Sequence, residues 1–217
     1  MKNIFLALIL TAAASVSALA QSAPDYKKTE FYIGYSNGQV DTGVDSGNTV
    51  NSVLRDRANF HGIEAAGVYN VSRYVGIKAD VSGTFNSKRF SFPVTTGLTT
   101  QTVTFDTDNS LYNILGGVQI KDNANDGRFK PFVHAMIGAG HGRTKVKNLT
   151  CTTTVNINCA TIADDSETGL AGVFGGGLDI RVNDKIDFRA FQVDYNPIKF
   201  NGGTDNNIRF GIGIVIK

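Results

Sequence analysis

Eight stretches of this chain alternate apolar and polar residues with a period of two, and helical periodicity is hard to find anywhere after the first twenty residues. Such alternation demands strands with two unlike faces. In Val75–Phe85, the residues Val75, Ile77, Ala79, Val81 and Phe85 alternate with Gly76, Lys78, Asp80, Ser82 and Thr84. The last stretch, NNIRFGIGIVIK, sets Ile208, Phe210, Ile212, Ile214 and Ile216 against Asn207, Arg209, Gly211, Gly213 and Val215. Thr29–Ser36, Phe60–Tyr69, Tyr112–Ile120, Lys130–Ile137 and Leu170–Arg181 repeat the pattern, each with a greasy face and a small or charged one. The seventh, DFRAFQVDY from Asp187 to Tyr195, breaks it. With Asp187 and Arg189 on the polar face, Gln192 and Asp194 fall on the apolar one, which predicts a bulge or a strand that has already left a bilayer.

The strand count is even and the connections alternate in length. Asn70–Tyr74, Asp122–Arg128 and Asn183–Lys185 read as short turns, whereas Gly38–Ala58, Asn86–Asn109, Gly142–Glu167 and Asn196–Asp205 read as long polar loops. That layout predicts an all-β fold, an eight-stranded antiparallel up-and-down transmembrane β-barrel with short periplasmic turns and long extracellular loops. A strand can cross hydrocarbon only when every backbone polar group is paired, so the sheet must close. Eight strands leave a bore that side chains fill. The inward set Glu64, Lys78, Asp80, Lys130, His134, Asp179, Arg181, Arg189 and Arg209 is expected to form a paired lumen network, because unpaired buried charge is expensive. The glycine run Gly175–Gly177 lacks the Lys-Ser/Thr ending of a phosphate loop and reads as packing space within a strand.

Residues 1–20, with Lys2, an apolar run from Ile4 to Ala14 and small residues at Ala18 and Ala20, have the form of a signal peptide cleaved after Ala20. Residues 21–217 then form a single barrel domain in the bacterial outer membrane. Cys151 and Cys159, in a Thr/Asn-rich stretch of an exported chain, are expected to form a local disulfide rather than a metal site. Asn148-Leu149-Thr150 is a chance match to the glycosylation triplet. A formal charge of +2 with scattered Lys and Arg gives no footprint for nucleic acid.

Near the C-terminus the pattern becomes specific. Arg209, Gly211, Ile214 and Ile216 fit the polar-x-Gly-x-x-apolar-x-apolar signal read in the final strand by the barrel assembly machinery. Together with YNVSRYVGIKADVSGTF, KPFVHAMIGAG and FQVDYNPIKF, the mature chain resembles the OmpA/OmpX-like eight-stranded outer-membrane β-barrel family. It departs from that family's signal in ending on Lys217 and in placing Ile214 and Ile216 where aromatic residues are usual. The resemblance implies a barrel-only monomer without a peptidoglycan-binding domain or cofactor. Its partners would be outer-membrane lipid, lipopolysaccharide, the assembly machinery and any surface ligand held by the loops.

Function then divides three ways. The leading expectation is a structural, envelope-integrity or surface-recognition role carried by loops that hold isolated apolar residues such as Phe90, Phe92 and Val94. The alternative is a narrow passive pore, for which Glu64, Lys78 and Asp80 would be a gate. A lipid-modifying enzyme would need His61, His134 or His141 in a nucleophile–base–orienter set, and no G-x-S-x-G elbow is present. No catalytic, cofactor-binding or metal residues are expected.

Overall fold

The computed structural model describes residues 26–41, 57–96, 99–152 and 164–217. Eight strands, β1 (Thr29–Asp41), β2 (Arg57–Asn70), β3 (Val75–Thr96), β4 (Thr99–Lys121), β5 (Phe129–Thr152), β6 (Asp165–Arg181), β7 (Ile186–Phe200) and β8 (Gly203–Ile216), form one closed antiparallel barrel in sequence order. Closure is made by β1 against β8, from Phe31 opposite Ile216 to Gln39 opposite Ile208. The signal peptide and the pairing of Cys151 with Cys159 lie outside the described residues.

The alternation sorts as a bilayer requires. Among the described residues, 30 large apolar side chains are exposed, while the buried set holds 22 polar or charged residues against 12 apolar ones. This is the inverse of a water-soluble domain, whose charged residues almost never bury without a partner. Ile33, Ile63, Ile77, Ile114, Val133 and Ile214 point outward in an aliphatic band. Tyr35, Phe85, Tyr112 and Tyr195 edge it toward one end of the barrel and Tyr69, Tyr74 and Phe129 toward the other, as interfacial girdles do.

The irregular seventh strand contains a bulge. Leu178 faces Phe191 and Asp179 faces Arg189, so Ala190 is an extra residue; on the other side, Arg189 faces Gly213 and Gln192 faces Gly211. The inserted residue resets the alternation, and Asp187, Arg189, Gln192 and Asp194 are all buried in the lumen while Phe188, Phe191 and Val193 face out. The strand does not need to leave the bilayer.

Two predicted long loops are corrected. Asn86–Asn109 is a continuation of the β3–β4 ladder, paired residue by residue from Asn86 opposite Asn109 to Thr96 opposite Thr99. Its Thr, Phe and Val residues are strand formers, and a polar composition does not stop a ladder. Asn196–Asp205 is a tight hairpin in which Phe200 pairs with Gly203 across Asn201-Gly202, a dipeptide suited to a two-residue connection. Gly142–Glu167 is shortened too, because β5 runs to Thr152 and β6 starts at Asp165.

Strands β3, β4 and β5 thus rise beyond the girdle as an arm, about 35 Å long from Phe85 to Thr96 at the usual rise per residue. Phe90 and Phe105 stack on one face of it, with centroids 5.5 Å apart. On the other, Arg89 donates to both oxygens of Asp106 at 2.6 and 3.0 Å, and Lys147 pairs with Asp108 at 2.6 Å. A second bulge sets Phe105 against Asn148 and Leu149, with Asn148 in the left-handed region at φ 53°, where Asn is tolerated. Its amide donates to Asp106 at 2.8 Å.

The hydrogen bonds from Arg89 and Asn148 hold the Asp106 carboxyl down at about 2. A depressed carboxyl contributes stability that is present above its unfolded value, about 3.9, and lost as pH falls toward the folded value. The Asp106 carboxyl carbon should therefore titrate near pH 2 by NMR, with the arm ordered at pH 4. In Arg89→Gln the midpoint should return toward the ordinary range.

Candidate functional site: the lumen and its two mouths

Because inward positions recur at every second residue, the eight strands aim their polar side chains at one axis. Starting at the turn end, the Lys121 ammonium donates to Glu30 at 2.5 Å and to Asp179 at 3.2 Å. Arg189 takes the same Asp179 with two nitrogens, at 2.8 and 3.2 Å, and donates its third to Gln192 at 2.7 Å. The guanidinium lies between the rings of Tyr32 and Phe132, 4.3 and 4.0 Å from their centroids, so its faces meet π-systems and its edge meets acceptors.

Gln192 carries the chain upward by donating to Glu64 at 2.8 Å and to Asp194 at 2.7 Å. Arg209 then donates to Asp194 at 2.7 and 3.0 Å, to Asp80 at 3.0 Å and to Ser82 at 3.1 Å. His134 closes the ring. Its Nδ1 lies 3.2 Å from the Lys78 ammonium, which has only donors, so Nδ1 accepts and Nε2–H donates to Asp194 at 2.8 Å. Every strand contributes at least one member: Glu30, Glu64, Lys78, Lys121, His134, Asp179, Arg189 and Arg209 stand on β1 to β8 in order. Gly175 makes room for it, since a Cβ there would sit 2.0 Å from Asp194 Oδ1.

Of the residues singled out in the sequence, Glu64, Lys78, Asp80, His134, Asp179, Arg189 and Arg209 meet in this network. Lys130 lies below it, 3.7 Å from Asp187. Arg181 does not belong to the lumen set: it ends β6 at the turn mouth, partly exposed, and binds Asp126 at 2.9 Å and Asp184. At that position the last inward residue of a strand has already reached the rim. Glu30, Lys121, Asp187, Gln192 and Asp194 were absent from the expected set. The β7 bulge concealed the last two, whereas the inward parity of Glu30 on β1 was readable. Arg209 and Gly211 of the final-strand signal face inward, while Ile214 and Ile216 face outward on the strand that seals the barrel.

Above the network the lumen turns apolar, with Phe60, Leu111, Leu115, Met136, Val173 and Ile198 packed in one cluster. Leu115, Met136 and Val173 occupy polar-face positions in the alternation, so a wholly small-and-charged interior is corrected to an ionic layer capped by an apolar one. Above that cap is a cup of about 390 Å³, floored by Phe60, Leu111 and Phe200 and rimmed by Arg143, Asp165 and Glu167. A second cavity of about 420 Å³ opens at the turn mouth.

The histidines do not converge. His61, exposed, bonds the Tyr35 hydroxyl, and His141 bonds Thr168 at 2.8 Å, while His134 is enclosed by Asp194 and Lys78. A hydrolase set is not assembled among the described residues.

Removing one partner of a buried pair strands the others, at about 3–5 kcal/mol, whereas an exposed pair contributes about 0–1 kcal/mol. Asp194→Ala, which removes the buried carboxylate shared by Arg209, His134 and Gln192, should lower unfolding stability in lipid vesicles by an amount in the first range. Arg73→Ala, at the exposed pair with Asp122, should fall in the second.

Residues 6–216 match the family described as outer membrane protein beta-barrel domain. No curated protein matches the sequence. Among solved structures, the attachment invasion locus protein Ail of Yersinia pestis, in complex with the heparin analogue sucrose octasulfate, is 17% identical; the match covers 87% of this chain and 98% of that one, with a TM-score of 0.52. Neisserial surface protein A is 12% identical over 87% of this chain and 96% of its own, with a TM-score of 0.55. At these identities the likeness is one of fold.

Proposed function

Since the chain belongs to the outer membrane protein beta-barrel domain family, we propose that this integral outer-membrane barrel is a non-conducting one that supports envelope integrity and offers its loop end for surface recognition. The observation that carries this reading is the unbroken chain of hydrogen-bonded charges to which all eight strands contribute. A permeating ion would have to break several buried pairs in a narrow bore of low dielectric, where each is strong. The apolar cluster above them adds a dry layer that an ion would cross without partners.

Recognition is assigned to the loop end because the arm and the cup stand there. The arm's outward face carries Arg143, Lys145 and Lys147 at every second position of β5, just beyond the girdle residue Tyr112. Lys147 is paired with Asp108, and a row of cations of this kind suits the phosphates of lipopolysaccharide, the lipid partner we propose. Assembly would proceed by recognition of β8 through Arg209, Gly211, Ile214 and Ile216 before it closes on β1. No catalysis is assigned, since among the described residues no histidine joins a hydroxyl or thiol nucleophile to an orienting carboxylate.

The rival passive-pore reading is separated by planar-bilayer conductance. The wild-type barrel should stay at background. Arg189→Ala/Arg209→Ala, checked for a heat-dependent gel shift to establish that it still folds, should show discrete conductance steps. Steady conductance in the wild type would establish the pore and remove the closed-barrel reading.

A further inference from the structure

We propose that the turn-end mouth of the barrel is a binding site for a compact oxyanion of the phosphate class. The cavity there, about 420 Å³, lies between the strand ends and is lined by five cationic side chains, Lys27, Lys121, Lys130, Arg181 and Lys217. Its carboxylates are already engaged. Glu30 accepts from Lys121 at 2.5 Å, and Asp126 and Asp184 are both bound by Arg181. Beneath them, Asp179 is taken by Arg189 and Lys121, and Asp187 accepts from Lys217 at 2.6 Å.

Lys130 remains. Its residue is 6% exposed, yet its ammonium donates no hydrogen bond among the described residues, and the nearest carboxylate oxygen is Asp187 Oδ2 at 3.7 Å. The two ammonium groups face different oxygens of Asp187: Lys217, the residue that stands where the family signal has an aromatic, donates to Oδ1, while Lys130 lies across from Oδ2 without a hydrogen bond to it. Lys27 adds a second cation at the rim without an ion pair of its own; its backbone carbonyl accepts from Asn70. Because Arg181 serves two carboxylates, these side chains sum to one surplus positive charge, and Lys27 and Lys130 are the two ammonium groups that make no hydrogen bond among the described residues.

A third group points the same way. Asn123 lines this cavity, and both polar atoms of its side chain are shielded from solvent without a hydrogen-bond partner. An unsatisfied buried amide is costly, and an oxygen placed before its N–H offsets that cost. Two ammonium groups with open donors and an amide donor suit an oxyanion with several acceptor oxygens, which inorganic phosphate and phosphate esters supply. Low-dielectric walls strengthen the attraction relative to an open surface. The same chemistry is present on a free periplasmic phosphate compound and on a lipid headgroup at the inner leaflet.

The test uses the full mature chain, refolded in neutral maltoside micelles in phosphate-free buffer and titrated calorimetrically with inorganic phosphate. Saturable one-to-one binding is expected, roughly tenfold or more weaker in Lys130→Met and retained in Lys130→Arg. Lys27→Gln lies outside the strands, so weakening there is independent of barrel folding; a heat-dependent gel shift checks Lys130→Met. Absence of saturable binding, or equal affinity in wild type, Lys130→Met and Lys27→Gln, would overturn the proposal. Repeating the titration in nanodiscs distinguishes the sources. Competition by phosphatidylglycerol, set against phosphatidylcholine, identifies the headgroup as occupant, and equal affinity in both identifies the free anion.

Discussion

The whole structure depends on one requirement, that no backbone N–H or C=O may face hydrocarbon unpaired. For a chain whose strands carry a greasy outer face, the pairing of β1 with β8 is what satisfies it. Closure at eight strands fixes a narrow bore, and a narrow bore can only be filled by side chains. The outer faces are committed to lipid, so the polar residues have one place left to go. The 22 polar or charged residues that are buried among the described ones are thus a consequence of closure.

Once enclosed, those residues must satisfy one another. Charges buried singly would cost several kcal/mol each, and the structure avoids this by letting most carboxylates serve two donors and each arginine serve two or more acceptors. Arg189 is the junction. It joins the lower pairs to the upper ones through Gln192 and uses its two flat faces on Tyr32 and Phe132, so a lysine in its place could reproduce neither the fork nor the stack. The apolar cluster beneath the cup gives the barrel a polarity along its axis that the bilayer itself does not impose.

Much of this was legible in the sequence because period-two alternation reports directly on which face meets lipid. The barrel class, the strand count and seven of the nine expected lumen residues follow from parity alone, and so does the irregularity in β7. Extents were not legible. Whether Asn86–Asn109 continues a ladder depends on pairing partners, which a polar, Thr-rich composition neither requires nor forbids. Asn201-Gly202 was a readable hairpin signal that the surrounding polar residues obscured. Which cations share which carboxylates was also out of reach: Lys130 and Arg181 have lumen parity, but their heights along the axis place one beneath the network and the other at the rim.

The extra residue at Ala190 has a meaning for how such a strand can change. In an ordinary transmembrane strand, gaining or losing one residue exchanges the inner and outer sets for everything that follows, much as a frameshift garbles a message. Strand β7 already contains one such insertion, absorbed as a local kink opposite Ile212, with its polar set in phase on both sides. Losing Ala190 would therefore straighten the strand and leave every inner and outer residue where it stands, with Phe191 alone opposite Ile212. Pairing Ala190 regularly, without the kink, is what would send Gln192 and Asp194 into lipid and bring Phe191, Val193 and Tyr195 into the bore, so the pattern depends on the bulge and not on the residue that fills it.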